Sequence, residues 1–89
     1  MTHDFSKKNV AILGFGIEGE SATRFLLKQG SKVSVFDVRR EDQFEKSKIN
    51  QFRKQGVSFQ FDSYPEDFSS FDLVIRSPGI SPLSAVIEK

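Results

Sequence analysis

Eighty-nine residues suffice for one domain or part of one, and 37% hydrophobic with 28% charged residues are the proportions of a folded chain rather than a disordered tail. Thirteen basic and twelve acidic residues leave a net charge of +1, with the signs interspersed, so there is no field able to hold nucleic acid. The absence of cysteine removes disulfides, thiol catalysis and thiolate metal sites together. Met1 to Lys8 lacks the apolar stretch of a signal peptide, and the longest apolar run, Val10 to Ile17, falls far short of the ~20 residues that span a bilayer. A soluble, cytoplasmic protein without a membrane partner is therefore expected.

The elements alternate. Asn9 to Gly14 is a short, continuously apolar run, suited to a strand covered on both faces. From about Ile17 to Gln29 the period becomes helical, with Ile17, Ser21, Ala22, Phe25 and Leu26 on one face and Gly30 as the stop. Lys32 to Asp37 is a second strand. Arg40 to Lys54 reads as a second helix, with Phe44, Lys48 or Ile49, and Phe52 at helical spacing and Gly56 beyond its end.

Val57, Phe59 and Phe61 alternate with Ser58 and Gln60, as in a strand at a sheet edge. Asp72 to Arg76 is a fourth strand, Ser77 to Pro82 a loop, and Leu83 onward the beginning of a helix. Most of the ten phenylalanines are expected in the core, because Phe needs no hydrogen-bond partner when buried. Strands alternating with helices predict an α/β fold: a Rossmann-like, doubly wound parallel sheet of about four strands. The first strand belongs at its centre and the third at its edge. Residues 1–89 read as a single domain that stops short of its next strand.

Three features carry chemistry. Gly14-Phe15-Gly16-Ile17-Glu18-Gly19 lies between a strand and a helix, the context in which a glycine fingerprint binds phosphate. Gly14 permits the tight turn, Gly16 lets a phosphate approach the backbone, and Gly19 lets the helix pack on the strand. The first N–H groups of the helix, with its dipole behind them, suit a diphosphate. The plainer alternative is a turn that only packs the helix on the sheet. Glu18 favours the dipole but repels an anion, so its carboxylate must point to solvent if an anion binds.

Asp37, eighteen residues past Gly19 at the end of the second strand, is placed to accept hydrogen bonds from a ribose or a base, or else to be an N-cap or a solvated loop carboxylate. Arg39 and Arg40 follow; in a dinucleotide enzyme such arginines could hold a 2′-phosphate, and the plainer alternative is surface charge beside Glu41 and Asp42. The third feature is Ser77-Pro78-Gly79, a sharp loop at the carboxyl end of the sheet.

His3 is the only imidazole, so no nucleophile–base arrangement can be drawn and no metal-ligand cluster exists. No G-x-x-x-x-G-K-[ST] loop is present to hold the γ-phosphate of ATP. No catalytic residue and no metal ligand is expected in the chain, and its oligomeric state does not follow from the sequence.

Val10-Ala-Ile-Leu-Gly-Phe-Gly-Ile-Glu-Gly-Glu-Ser21, Val35-Phe-Asp-Val-Arg39 and Val74-Ile-Arg-Ser-Pro-Gly-Ile80, taken together, resemble the N-terminal domain of the Mur ligases, and within them the D-glutamate-adding members. The resemblance implies a domain that binds the uridine diphosphate part of a peptidoglycan precursor, UDP-N-acetylmuramoyl-L-alanine. It implies that Gly16, Ile17, Glu18 and Gly19 meet the diphosphate, that Asp37, Val38 and Arg39 border the uracil and ribose, and that Ser77, Pro78 and Gly79 close the other side. It also implies that ATP and Mg2+ act in the complete ligase through domains outside these residues, with no cofactor held here. The alternative reading of the residues is an NAD(P)-binding module of a dehydrogenase or of a ligand-sensing regulatory domain. It accounts for the glycine loop and Asp37 equally well and gives the Ser77-Pro78-Gly79 loop no particular role.

Overall fold

The computed structural model describes residues 6–76 and the strand Ala85–Glu88. The chain runs β1 (Asn9–Leu13), α1 (Ile17–Lys28), β2 (Lys32–Asp37), a 3-10 turn (Glu41–Gln43), α2 (Lys46–Lys54), β3 (Ser58–Phe61), β4 (Leu73–Arg76) and β5 (Ala85–Glu88). The sheet order is β3-β2-β1-β4-β5. β1 is parallel to β2 and to β4, and β2 is parallel to β3. The strand order thus reverses at β1, which makes the carboxyl ends of β1 and β4 the topological switch point of the sheet. The central first strand, the third strand at the edge and the α/β class all agree with the sequence.

β1 is apolar from Val10 to Leu13 because both of its faces are covered there. Val10 and Ile12 face a core shared with Val33, Val35, Leu26, Ile49 and Phe52, while Ala11 and Leu13 face a smaller cluster with Phe36 and Val74. Burial of Ile12, Leu26 and Ile49, each almost inaccessible to solvent, contributes ~1.5–3 kcal/mol apiece. Both α helices lie on the first face. The second is closed by the β3–β4 connection, whose Phe68 and Phe71 rings meet Phe36 edge-on at 6.3 and 5.7 Å. Of the phenylalanines in the described residues, only Phe25 is exposed.

Three expectations need correction. The buried face of α1 is Gly19, Thr23 and Leu26, whereas Ile17 and Phe25 are exposed. The cause is the close seating of Gly19 on the glycine loop, which fixes the rotation of the helix. Thr23 is tolerated inside because its hydroxyl donates to Gly19 O at 2.8 Å. Second, the helix expected over Arg40 to Lys54 begins only at Lys46, since Phe44 and Glu45 adopt extended backbone. Phe44 leaves the helical path to pack against Phe15 and Phe61, at centroid distances of 6.1 and 5.4 Å. Third, Leu83 lies outside the described residues, but Ala85–Glu88 beyond it is a strand antiparallel to β4, where a helix was expected. The Ala-Val-Ile run has β-branched strand formers, and β4 offers it an unpaired ladder edge. The sheet therefore has five strands, four of them parallel.

Candidate functional site

The site is built at the carboxyl end of β1 and β2. The β1–β2 ladder extends one step beyond Leu13, with Gly14 N–H donating to Phe36 O at 2.7 Å. Gly14 then turns with φ 98°, the left-handed region that favours glycine. Phe15 drops its ring into the core, edge-on to Phe52 and Phe59 at 5.5 and 5.2 Å, so the loop is pinned from below.

The three glycines answer to different constraints. A Cβ at Gly19 would lie 2.1 Å from Gly14 O, so close packing of α1 on the loop requires glycine there. At Gly16 the backbone is extended, φ −89° and ψ −160°, which any residue adopts, and a Cβ would meet nothing within 4 Å. Neither conformation nor packing demands glycine at position 16. What a side chain there would obstruct is the open space above the helix start.

Gly16 is the N-cap of α1, and no side chain caps the helix. The first internal bond runs from Glu20 N–H to Gly16 O at 2.9 Å, so the N–H groups of Ile17, Glu18 and Gly19 precede the helical ladder. Glu18 is exposed. Glu20 is drawn away from the loop, accepting from Lys48 Nζ at 3.0 Å and pairing with Arg24.

Asp37, by contrast, is buried, with 2% of its surface accessible. Its Oδ2 accepts from Phe15 N–H at 2.8 Å and from Arg39 Nη2 at 2.8 Å, and its Oδ1 accepts from Arg39 N–H at 2.9 Å and Arg39 Nε at 3.0 Å. A carboxylate offers about four acceptor positions, and all are filled. Burial works against the charged form. The Arg39 guanidinium and the N–H groups of Phe15 and Arg39 outweigh it and hold the carboxyl below its usual range. The partner effect runs the other way on Arg39, whose guanidinium is held above its ordinary value chiefly by the hydrogen bonds to Asp37.

Arg39 is fixed on further sides. Its guanidinium lies 4.6 Å from the centroid of the Phe44 ring, and its carbonyl accepts from Asp62 N–H at 3.1 Å. About half of the Arg39 side chain remains exposed, and Val38 beside it is 59% exposed. Arg40 is turned toward Asp42, at 3.4 Å, and does not share this arrangement.

The glycine loop and the Asp37–Arg39 segment are thus brought together through the Phe15–Asp37 bond. Ser77, Pro78 and Gly79 lie outside the described residues, as does His3; the residue before Ser77, Arg76, is the register partner of Leu13, one step before Gly14. Sequence reasoning missed Phe44 as the ring beneath Arg39, because its spacing from Phe52 imitates a helical face. Among the described residues no group of three or more His, Asp or Glu could hold a metal ion, and no helix is long and apolar enough to cross a membrane.

Residues 8–89 match the family described as Mur ligase MurD-like, N-terminal domain. The chain is 36% identical over 74 residues to the UDP-N-acetylmuramoylalanine--D-glutamate ligase of Clostridium tetani, covering 82% of this chain and 16% of the relative. It is 39% identical over 82 residues to the ligase of the same name from Caldicellulosiruptor bescii, covering 91% of this chain and 18% of that one. The chain therefore spans less than a fifth of these relatives' length. Among solved structures, SirC, a precorrin-2 dehydrogenase, shares the fold, with a TM-score of 0.66 over 86% of this chain and 37% of that one at 12% identity.

Proposed function

This chain belongs to the MurD-like Mur ligase family, in its N-terminal domain, and from that premise we propose that it binds the uridine diphosphate end of UDP-N-acetylmuramoyl-L-alanine. The diphosphate lies on the N–H groups of Ile17, Glu18 and Gly19, with Gly16 giving it access to the backbone. Asp37, Val38 and Arg39 border the uracil and ribose, and Ser77, Pro78 and Gly79 close the opposite side. Glu18 takes part through its backbone, its exposed carboxylate staying in water.

The observation that carries the reading is the glycine at position 16, which the fold itself does not need. The filled acceptor positions of Asp37 weigh against a dinucleotide. In that alternative the acid must receive a ribose diol, and here it would have to release Phe15 or Arg39 first. The exposed outer side of Arg39 instead offers a planar cation at the height of the loop, suited to a flat base.

The complete protein, in this proposal, is a cytoplasmic ligase of peptidoglycan synthesis that joins D-glutamate to the L-alanine carboxylate of the bound precursor. ATP and Mg2+ would be held by domains outside these 89 residues, which contain no ATP phosphate loop. The part played here is binding and orientation: the UDP end is fixed at the switch point of the sheet, so that the peptide end extends toward the chemistry.

The test is calorimetric titration of UDP into the chain and into Gly16→Val. A Cβ at position 16 has room, so the variant should stay folded, losing only about 1 kcal/mol or less, the difference between valine and glycine at an N-cap, and should lose UDP binding. Equal binding by both proteins would remove the glycine loop from the site.

A further inference from the structure

An acid at the end of the second strand is the residue sequence logic hands to the ligand. Its surroundings assign it differently. Asp37 is buried, and its four donors come from two separate loops: Phe15 N–H from the β1–α1 loop, and the backbone N–H, Nε and Nη2 of Arg39 from the segment after β2. Neither loop can yield cheaply. The Phe15 ring is wedged between Phe52 and Phe59, and Arg39 is held at its carbonyl by Asp62 and at its guanidinium by the Phe44 ring. The carboxylate thus accepts hydrogen bonds from both loops at once.

We infer that Asp37 is a positioning residue that couples the two halves of the site: it sets the glycine loop and Arg39 in one geometry and does not itself contact the ligand. This rests on the proposed uridine diphosphate reading and deepens it, because the diphosphate half and the base half are then ordered by a single buried group. A change at Arg39 is transmitted to the backbone of Phe15 and Gly16 through the shared carboxylate. The Nε–Nη2 fork is essential to this, since a lysine ammonium supplies a point charge and not two parallel donors.

Inorganic pyrophosphate tests the coupling, because it occupies the diphosphate half alone. Asp37→Asn removes a negative charge near an anion, so electrostatics by itself makes pyrophosphate bind tighter. Coupling gives the opposite sign: the amide turns its N–H2 toward Phe15 or Arg39, the loop geometry is lost, and binding weakens by about fivefold. Arg39→Lys keeps the charge and removes the fork; coupling makes it as weak as Arg39→Ala, whereas a purely Coulombic role leaves it like the parent chain. Pyrophosphate binding that is unchanged or tighter in Asp37→Asn, with uridine binding alone reduced, would overturn the inference and make Asp37 a direct ligand of the nucleoside.

Should Asp37→Asn fail to fold, the two Arg39 variants decide by themselves, the altered side chain being half-exposed. Should the parent chain bind neither UDP nor pyrophosphate, the binding reading fails, and the coupling is read without ligand. It requires Arg39→Lys to move the amide resonances of Phe15 and Gly16, and unmoved resonances refute it.

Discussion

Gly19 rests on the carbonyl of Gly14 so closely that a Cβ at position 19 would stand 2.1 Å from that oxygen. The obstacle is backbone, which cannot rotate aside as a side-chain tip would. Gly19→Ala must therefore lift the start of α1 off the loop, at a cost of about 2 kcal/mol or more. Gly16→Ala, with open space around its Cβ, should cost less than about 1 kcal/mol, the preference of an N-cap for glycine over alanine. Denaturant unfolding of the two variants side by side checks the contrast. Equal losses would mean that the two glycines do not have separate duties.

The same contact fixes which face of α1 is buried, and paired truncations test that face. Leu26 is 1% exposed, and Leu26→Ala should destabilise by ~2–5 kcal/mol. Phe25, the larger side chain, is 52% exposed, and Phe25→Ala should cost less than about 1 kcal/mol. The reverse order of losses would restore the helical face that hydrophobic spacing alone suggests.

Acid should strike at Asp37. Its carboxyl is held below the ordinary value in the folded chain, so the folded state favours the ionised form. The resulting stability is fully present above the unfolded value of about 4 and is lost as pH falls through the lower folded value. Arg39→Ala removes the strongest partner, so its stability should fall less steeply between about pH 5 and pH 2 than that of the parent chain. Urea midpoints across this range supply the measurement, and parallel curves would contradict the account.

Glu20 joins α1 to α2 by accepting from Lys48 Nζ at 3.0 Å, with both side chains partly exposed. Lys48→Ala should cost less than about 1 kcal/mol, and the difference should shrink in high salt. A larger, salt-independent loss would mean that the lysine stem packs against the helices more than its charge matters.

Much of the fold was legible in the sequence because strong local rules applied. The uninterrupted apolar run of β1 is what a strand buried on both faces requires, and the alternation at Phe59 and Phe61 marks the edge strand. Where the expectation failed, a tertiary contact overrode a pattern. Gly19 turned α1 so that Thr23 went inside and Phe25 stayed out. Phe44 left its helical register for an aromatic cluster formed by residues distant in sequence. At the site, the glycine loop and Asp37 were visible from spacing. That Asp37 spends its acceptors on Phe15 and Arg39 was not, because hydrogen bonds between loops leave no periodic trace.

The most direct measurement is an NMR titration of the isotopically labelled chain with UDP-N-acetylmuramoyl-L-alanine, UDP, NAD and NADP in parallel. Binding at the switch point predicts that the two uridine ligands alone shift the amides of Gly16 to Gly19 and of Asp37 to Arg39. Shifts at those amides with NAD or NADP, and none with the uridine ligands, would contradict the account and make the chain a dinucleotide-binding module.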